Sequence, residues 1–152
     1  MKGRPTLKEA MIKMRSFCGS RERSHNEVRT KLIGMHVYGD DLEEIISQLI
    51  ADGFLNEERF ARSFARGKFR ISRWGRNKII FGLRNQRVAD YSIEKGLQEI
   101  DEEEYLSVLH DLIRKHLKGA TSFEAKQKTI AAMRQKGYET ELILKVIREI
   151  EK

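Results

Sequence analysis

One apolar pattern recurs three times along this chain, and it constrains the fold more than any other feature. Leu32, Leu83 and Met133 stand 51 and then 50 residues apart. Five places after each come Val37, Val88 and Tyr138. Ten places after come Leu42, Ile93 and Ile143; fourteen after, Ile46, Leu97 and Ile147; seventeen after, Leu49, Ile100 and Ile150. All these positions are apolar, and the last three of each set share one helix face. A unit of this length buries only a small core, so neighbouring copies must stabilise one another. The pattern predicts an all-α chain of three tandem three-helix-bundle repeats, an elongated array with room to curve. The copies are bounded at residues 1–53, 54–100 and 101–152.

Start and stop signals fit that reading. Thr6 with Glu9, Ser24 with Glu27, Asp41 with Glu44, and Thr121 with Glu124 have capping-box spacing. Gly19, Gly53, Gly119 and Gly137 each follow an apolar-periodic run, where a left-handed residue ends a helix. The expected helices cover about residues 7–18, 25–35, 42–52, 57–72, 76–86, 91–100, 102–118, 123–136 and 140–151. Pro5 is the only proline, and no stretch alternates long enough for a strand.

Charge is segregated along the chain. The net is +7, yet residues 40–58 carry seven acids and no base, and residues 59–88 carry ten bases and no acid. In the basic stretch, Asn56 is a candidate N-cap, with Glu57 and Glu58 in the first turn. At 100° per residue Phe60, Phe64, Gly67 and Ile71 form a stripe read as the buried face, and Phe69 sits at the border of the arginine row opposite. Arg59, Arg62, Arg66, Arg70 and Arg73 line the opposite side. Only Glu58 on the same helix can pair with this row, through Arg62. Arginine forks onto phosphate and carboxylate. The expected polyanion or acidic-partner surface is therefore Arg59, Arg62, Arg66, Lys68, Arg70, Arg73, Arg76 and Lys78.

Little supports an enzyme. His25, His36, His110 and His116 lack metal-ligand spacing with carboxylates or with the lone Cys18, which reads as a small core residue. Gly67-Lys68 lacks the rest of a phosphate-binding loop. Glu102, Glu103 and Glu104 read as a helix opening, and Trp74-Gly75 as a junction between helices. No catalytic residue, metal or cofactor is expected. No run resembles a signal peptide or reaches membrane-spanning length, so the expectation is a soluble cytoplasmic protein.

Several segments resemble the RecX family, bacterial regulators of the RecA recombinase. Arg23-Ser24 with Glu27, Val28, Arg29, Lys31 and Leu32 is similar to the family's first motif. Ile46-x-x-Leu49 through Gly53-Phe54-Leu55-Asn56-Glu57-Glu58-Arg59-Phe60-Ala61 resembles its central signature, and it is the most specific match. Gly75 with Ile79 and Leu83, and Lys136-Gly137-Tyr138, extend the likeness over about residues 10–150. Two departures stand out: Arg87 occupies a position where the family usually has glycine, and the segment from Gly34 to Asp41 is looser than the family's turn.

The resemblance implies three three-helix repeats, no catalysis, and binding to the RecA–DNA filament to limit its activity in repair and recombination. It implies a monomer whose partners are the recombinase filament and DNA, single- or double-stranded, bound weakly on its own. The alternative is a helical protein acting directly on nucleic acid, because three-helix units overlap in shape with helix-turn-helix modules. No helix carries the Asn, Gln and Arg cluster of a base-reading element, which favours the first reading.

Overall fold

The computed structural model describes residues 3–152, and every regular element among them is an α-helix. The helices are α1 (Leu7–Ser20), α2 (His25–Gly34), α3 (Gly39–Ala51), α4 (Glu57–Arg70), α5 (Arg76–Asn85), α6 (Asp90–Leu97), α7 (Glu102–Leu117), α8 (Phe123–Gln135) and α9 (Thr140–Glu151). Most lie within two residues of the spans expected from sequence.

The caps show why, and where the reading slips. Ser24 closes a full capping box with Glu27, and the Thr6 hydroxyl accepts the Glu9 N–H at 3.1 Å. Asn56 Oδ1 accepts the Arg59 N–H at 2.8 Å, the cap expected for α4. Asp41 is not a cap. Helix α3 starts earlier, at Gly39, so Asp40 and Asp41 sit in its first turn and face the positive helix end. At α8 the cap is Ser122, not Thr121; its hydroxyl accepts the Ala125 N–H at 3.1 Å. Gly19 lies inside α1, whereas Gly53, Gly119 and Gly137 take the positive φ expected of them.

The repeat is visible in the core. Thirteen of the fifteen recurring positions are buried, and Leu97 and Ile150 are half-buried. The turn between the second and third helix is also built alike each time. The N–H groups of Val37, Val88 and Tyr138 donate back to Leu32, Leu83 and Met133 at 2.9, 3.1 and 3.0 Å. One residue earlier, His36, Arg87 and Gly137 donate to Ile33, Arg84 and Arg134, at φ of 62°, 59° and 101°. This is the Schellman pattern three times over. Arg87 takes the left-handed conformation despite having a Cβ.

Compact packing divides the chain differently from the repeat. One unit holds the chain up to Ser63 together with Leu83–Gly96; the other holds Phe64–Gly82 and Leu97–Lys152. The middle copy is shared between them, with boundaries inside α4, α5 and α6.

In the first unit a core of Ala10, Met14, Cys18, Val28, Leu32, Ile45 and Leu49 is flanked by half-buried Phe17, Met35 and Phe54. The buried Ser24 hydroxyl lies 2.7 Å from Gln86 Oε1, joining the start of α2 to the turn after α5. Burial pushes the Cys18 thiol above its usual pKa, so it remains a packed thiol.

In the second unit Phe69, Tyr105 and Tyr138 form an aromatic ladder, with ring centroids 5.8 and 5.1 Å apart. Tyr105 Oη accepts the Arg76 N–H at 3.0 Å and donates to Glu139. Burial, reinforced by that carboxylate, raises its pKa well above the tyrosine range. Tyr138 Oη donates to the Arg73 carbonyl at 2.9 Å, and burial pushes its pKa up to about 12. Backbone bonds from Gly75 N to Lys136 O (2.8 Å) and from Asn77 N to Gly137 O (2.9 Å) join the start of α5 to the α8–α9 turn. A Cβ on Gly75 would overlap the Gly137 backbone, so only glycine permits this approach.

Candidate functional site

Helix α4 supplies most of the expected basic surface, but its buried face is rotated from the sequence reading. The buried residues are Phe60, Ala61, Ala65 and Phe69, whereas Phe64 is half-buried and Ile71 is 85% exposed. Phe69, expected at the border of the arginine row, is 2% exposed against Tyr105. The two alanines explain the shift. Small side chains let neighbouring backbone approach closely, and a stripe drawn through large residues alone passes over them.

The arginines still emerge, but most meet a carboxylate from elsewhere in the chain. In the first unit Arg59 Nε lies 2.5 Å from both Glu22 oxygens, while its terminal nitrogen donates to Gly53 O at 2.9 Å. Arg62 lies 3.7 Å from Glu58, the one partner expected from its own helix. In the second unit Arg66 reaches Glu99 at 3.1 Å and Arg73 reaches Asp111 at 2.8 Å. Arg73 and Lys115 together hold the Asp111 carboxyl below its usual pKa. Glu58 is the same-helix partner expected, and the further acids, Glu22, Glu99 and Asp111, come from distant parts of the sequence.

These pairs are half-exposed, for example 47% and 26% for Arg59 and Glu22. Exposed ion pairs are each worth about 1 kcal/mol or less, so an incoming anion can replace them. Arg76 differs. Its side chain is 20% exposed, stacks 3.9 Å over the Tyr105 ring, and pairs with Glu139 at 2.7 Å and with Glu102. Burial acts to lower its pKa, but Glu139, Tyr105 and Glu102 outweigh that and raise it. Arg76 is half-buried and held by contacts within its own unit.

Three of the named cations face no carboxylate among the described residues. Arg70 is exposed with no ion pair, and Lys68 and Lys78 place their ammonium groups 4.8 and 4.6 Å from the Trp74 ring. Beside Lys78 opens a groove of about 310 Å³ lined by Asn77, Lys78, Phe81, Arg134, Gln135 and Gly137. Phe81 is 66% exposed there. Sequence reasoning passed over Phe81 and Arg134. The signal for Phe81 was available, since it falls off the Ile79–Leu83 face; Arg134 belongs to another copy and carried none. No group of three or more His, Cys, Asp or Glu side chains among the described residues is arranged to hold a metal ion. No helix among them is long and apolar enough to cross a membrane.

Comparison with known proteins adds independent findings. Residues 56–97 match the family model for the RecX second three-helix domain, and residues 102–147 match that for the third. Regulatory protein RecX of Lactobacillus gasseri is 30% identical over 141 residues, covering 90% of this chain and 51% of that protein. Its counterpart in Prosthecochloris aestuarii is 30% identical over 94 residues, 62% of each chain. The chain spans about half the length of the first of these relatives. In fold it is similar to the crystal structure of RecX from Lactobacillus salivarius, with a TM-score of 0.86 over 95% of this chain and 96% of that one at 21% identity. The repeated three-helix pattern, its recurring turn and these matches agree, and the chain belongs to the RecX family of regulatory proteins.

Proposed function

We propose that this chain is a non-catalytic cytoplasmic regulator that binds the RecA–DNA filament as a monomer and limits recombinase activity in DNA repair and recombination. The observation that carries the reading is a basic surface on a RecX-type repeat. Its Arg59, Arg62, Arg66 and Arg73 pairs are exposed enough to exchange, and Lys68, Arg70 and Lys78 face no acid. A polyanionic or acidic partner gains charge complementarity there without disturbing a buried group. Arg76 contributes by fixing the fold beneath this surface.

The test is recombinase ATP hydrolysis on single-stranded DNA, titrated with wild-type protein and with the Arg62→Gln, Arg66→Gln, Arg70→Glu variant. Glutamine at the first two positions avoids setting like charges beside Glu58 and Glu99. Wild type should suppress hydrolysis in proportion to its amount, and the variant, at matched helicity, should do so at least tenfold less effectively. A folded variant that inhibits as well as wild type would return these arginines to an ordinary solvated face.

A further inference from the structure

The first helix of each copy carries an arginine at the same place. Arg15, Arg66 and Arg114 directly follow the fully buried Met14, Ala65 and Ile113, and three places after each arginine comes another buried residue, Cys18, Phe69 or Leu117. The first two arginines meet an acid just past the third helix of their copy. Arg15 reaches Asp52 at 3.3 Å, and Arg66 reaches Glu99 at 3.1 Å. Arg114 is exposed and meets no carboxylate among the described residues. It lines a cavity of about 330 Å³ at the end of α9. The apolar positions differ in the same way. Leu49 is fully buried and Ile100 is 8% exposed, whereas their counterpart Ile150 is half-buried and lines the cavity with Leu117 and Ile147.

The first unit shows what fits such a place. The chain after α3 turns back over Leu49, whose carbonyl accepts the N–H groups of Phe54 and Leu55 at 2.9 and 3.2 Å. Leu55 joins the core and Phe54 packs against it. Arg15 holds Asp52 while its guanidinium lies 5.7 Å from the centre of the Phe54 ring. One arginine thus engages an acid and a ring two residues apart, above an apolar floor. The cavity of the third copy has the same parts. Glu151 also lines it but is paired with Lys126, so Arg114 is the charge left for a ligand. The volume is at the lower end for small-ligand pockets, which suits a few side chains. A strand of nucleic acid would use Arg114 and leave the apolar floor without a role. A second copy of this chain would have to withdraw its own Leu55, which is 1% exposed in the first-unit core.

We infer that the cavity of Arg114, Leu117, Ile147 and Ile150 is a docking socket for a short segment of another protein, one in which an acid is followed two places on by an aromatic residue and then by an aliphatic one. This goes beyond the proposed regulatory role and does not rest on it, since the contact is carried by α7 and α9 and not by the arginines of α4.

A blocked peptide with the sequence of residues 51–58 serves as the probe, titrated to about 1 mM into the full chain and followed by amide chemical shifts. Shifts should concentrate at Arg114, Leu117, Ile147 and Ile150, with one peptide bound per chain. Arg114→Gln, at an exposed position, should weaken binding about tenfold, and so should Asp52→Asn in the peptide alone. The two changes together should cost little more than either, because they remove the two ends of one contact. Phe54→Ala in the peptide should weaken binding by a similar factor. Absence of shifts at the cavity, shifts at Leu49 and Arg15 instead, or binding untouched by Arg114→Gln would overturn the inference. So would displacement of the peptide by an oligonucleotide, or self-association of the chain that the peptide reverses, since these assign the cavity to nucleic acid or to a second copy. Failure of recombinase inhibition would leave the peptide results standing, so the two readings fail separately.

Discussion

At the scale of single residues, the three repeat turns set one backbone problem and answer it with different side chains. His36, Arg87 and Gly137 all sit at positive φ, which costs a residue with a Cβ roughly 1–2 kcal/mol. At Arg87 nothing but that local cost opposes the turn. Arg87→Gly should therefore raise stability by up to about 1 kcal/mol, reduced by the greater freedom of glycine in the unfolded chain. Gly137 has no such latitude, because a Cβ there would overlap Lys78. Gly137→Ala should destabilise by more than the φ cost alone, about 2 kcal/mol or more. Urea unfolding of both variants measures the contrast, and equal effects of the same sign would remove it. Here the family pattern was a better guide than propensity: glycine is usual at the Arg87 position, and the conformation persists without it.

At the scale of elements, the helices were legible from the sequence, but the rotation of α4 was not. Spans follow from caps and periodicity, which are local, so α2 and α7 through α9 were read nearly to the residue. Rotation depends on what a helix packs against. The stripe Phe60–Phe64–Gly67–Ile71 is geometrically sound, yet Ala61 and Ala65 are fully buried and Ile71 is not. The same limit hid the ion pairs of the candidate site, because Glu22, Glu99 and Asp111 are remote in sequence from the arginines they meet. The rotation has a measurable consequence. Phe69→Ala removes a buried ring stacked on Tyr105 and should cost about 3–5 kcal/mol, whereas Phe64→Ala, at a half-buried ring, should cost distinctly less. Thermal melts that rank the two in the opposite order would restore the original stripe.

At the scale of the whole molecule, sequence copies and packing units do not coincide. The repeat marks residues 54–100 as one copy, but residues 64–82 pack with residues 97–152 instead. The physical reason is the junction at Gly75. Two backbone hydrogen bonds, the Arg76–Glu139 pair and the Tyr138–Arg73 bond tie the segment after α4 and the start of α5 to the α8–α9 turn, and the Arg76 N–H bond to Tyr105 ties them to α7. Such a junction should make these segments open together, since local stability follows contiguous packing rather than sequence period. Gly75→Ala tests this directly, because the added methyl must displace the Gly137 backbone. Amide hydrogen exchange should show residues 64–82 and the helices α7–α9 losing protection in step, by a similar free energy. If the loss were confined to residues 54–100, the middle copy would be a cooperative body of its own, and the Gly75 junction a contact with little bearing on stability.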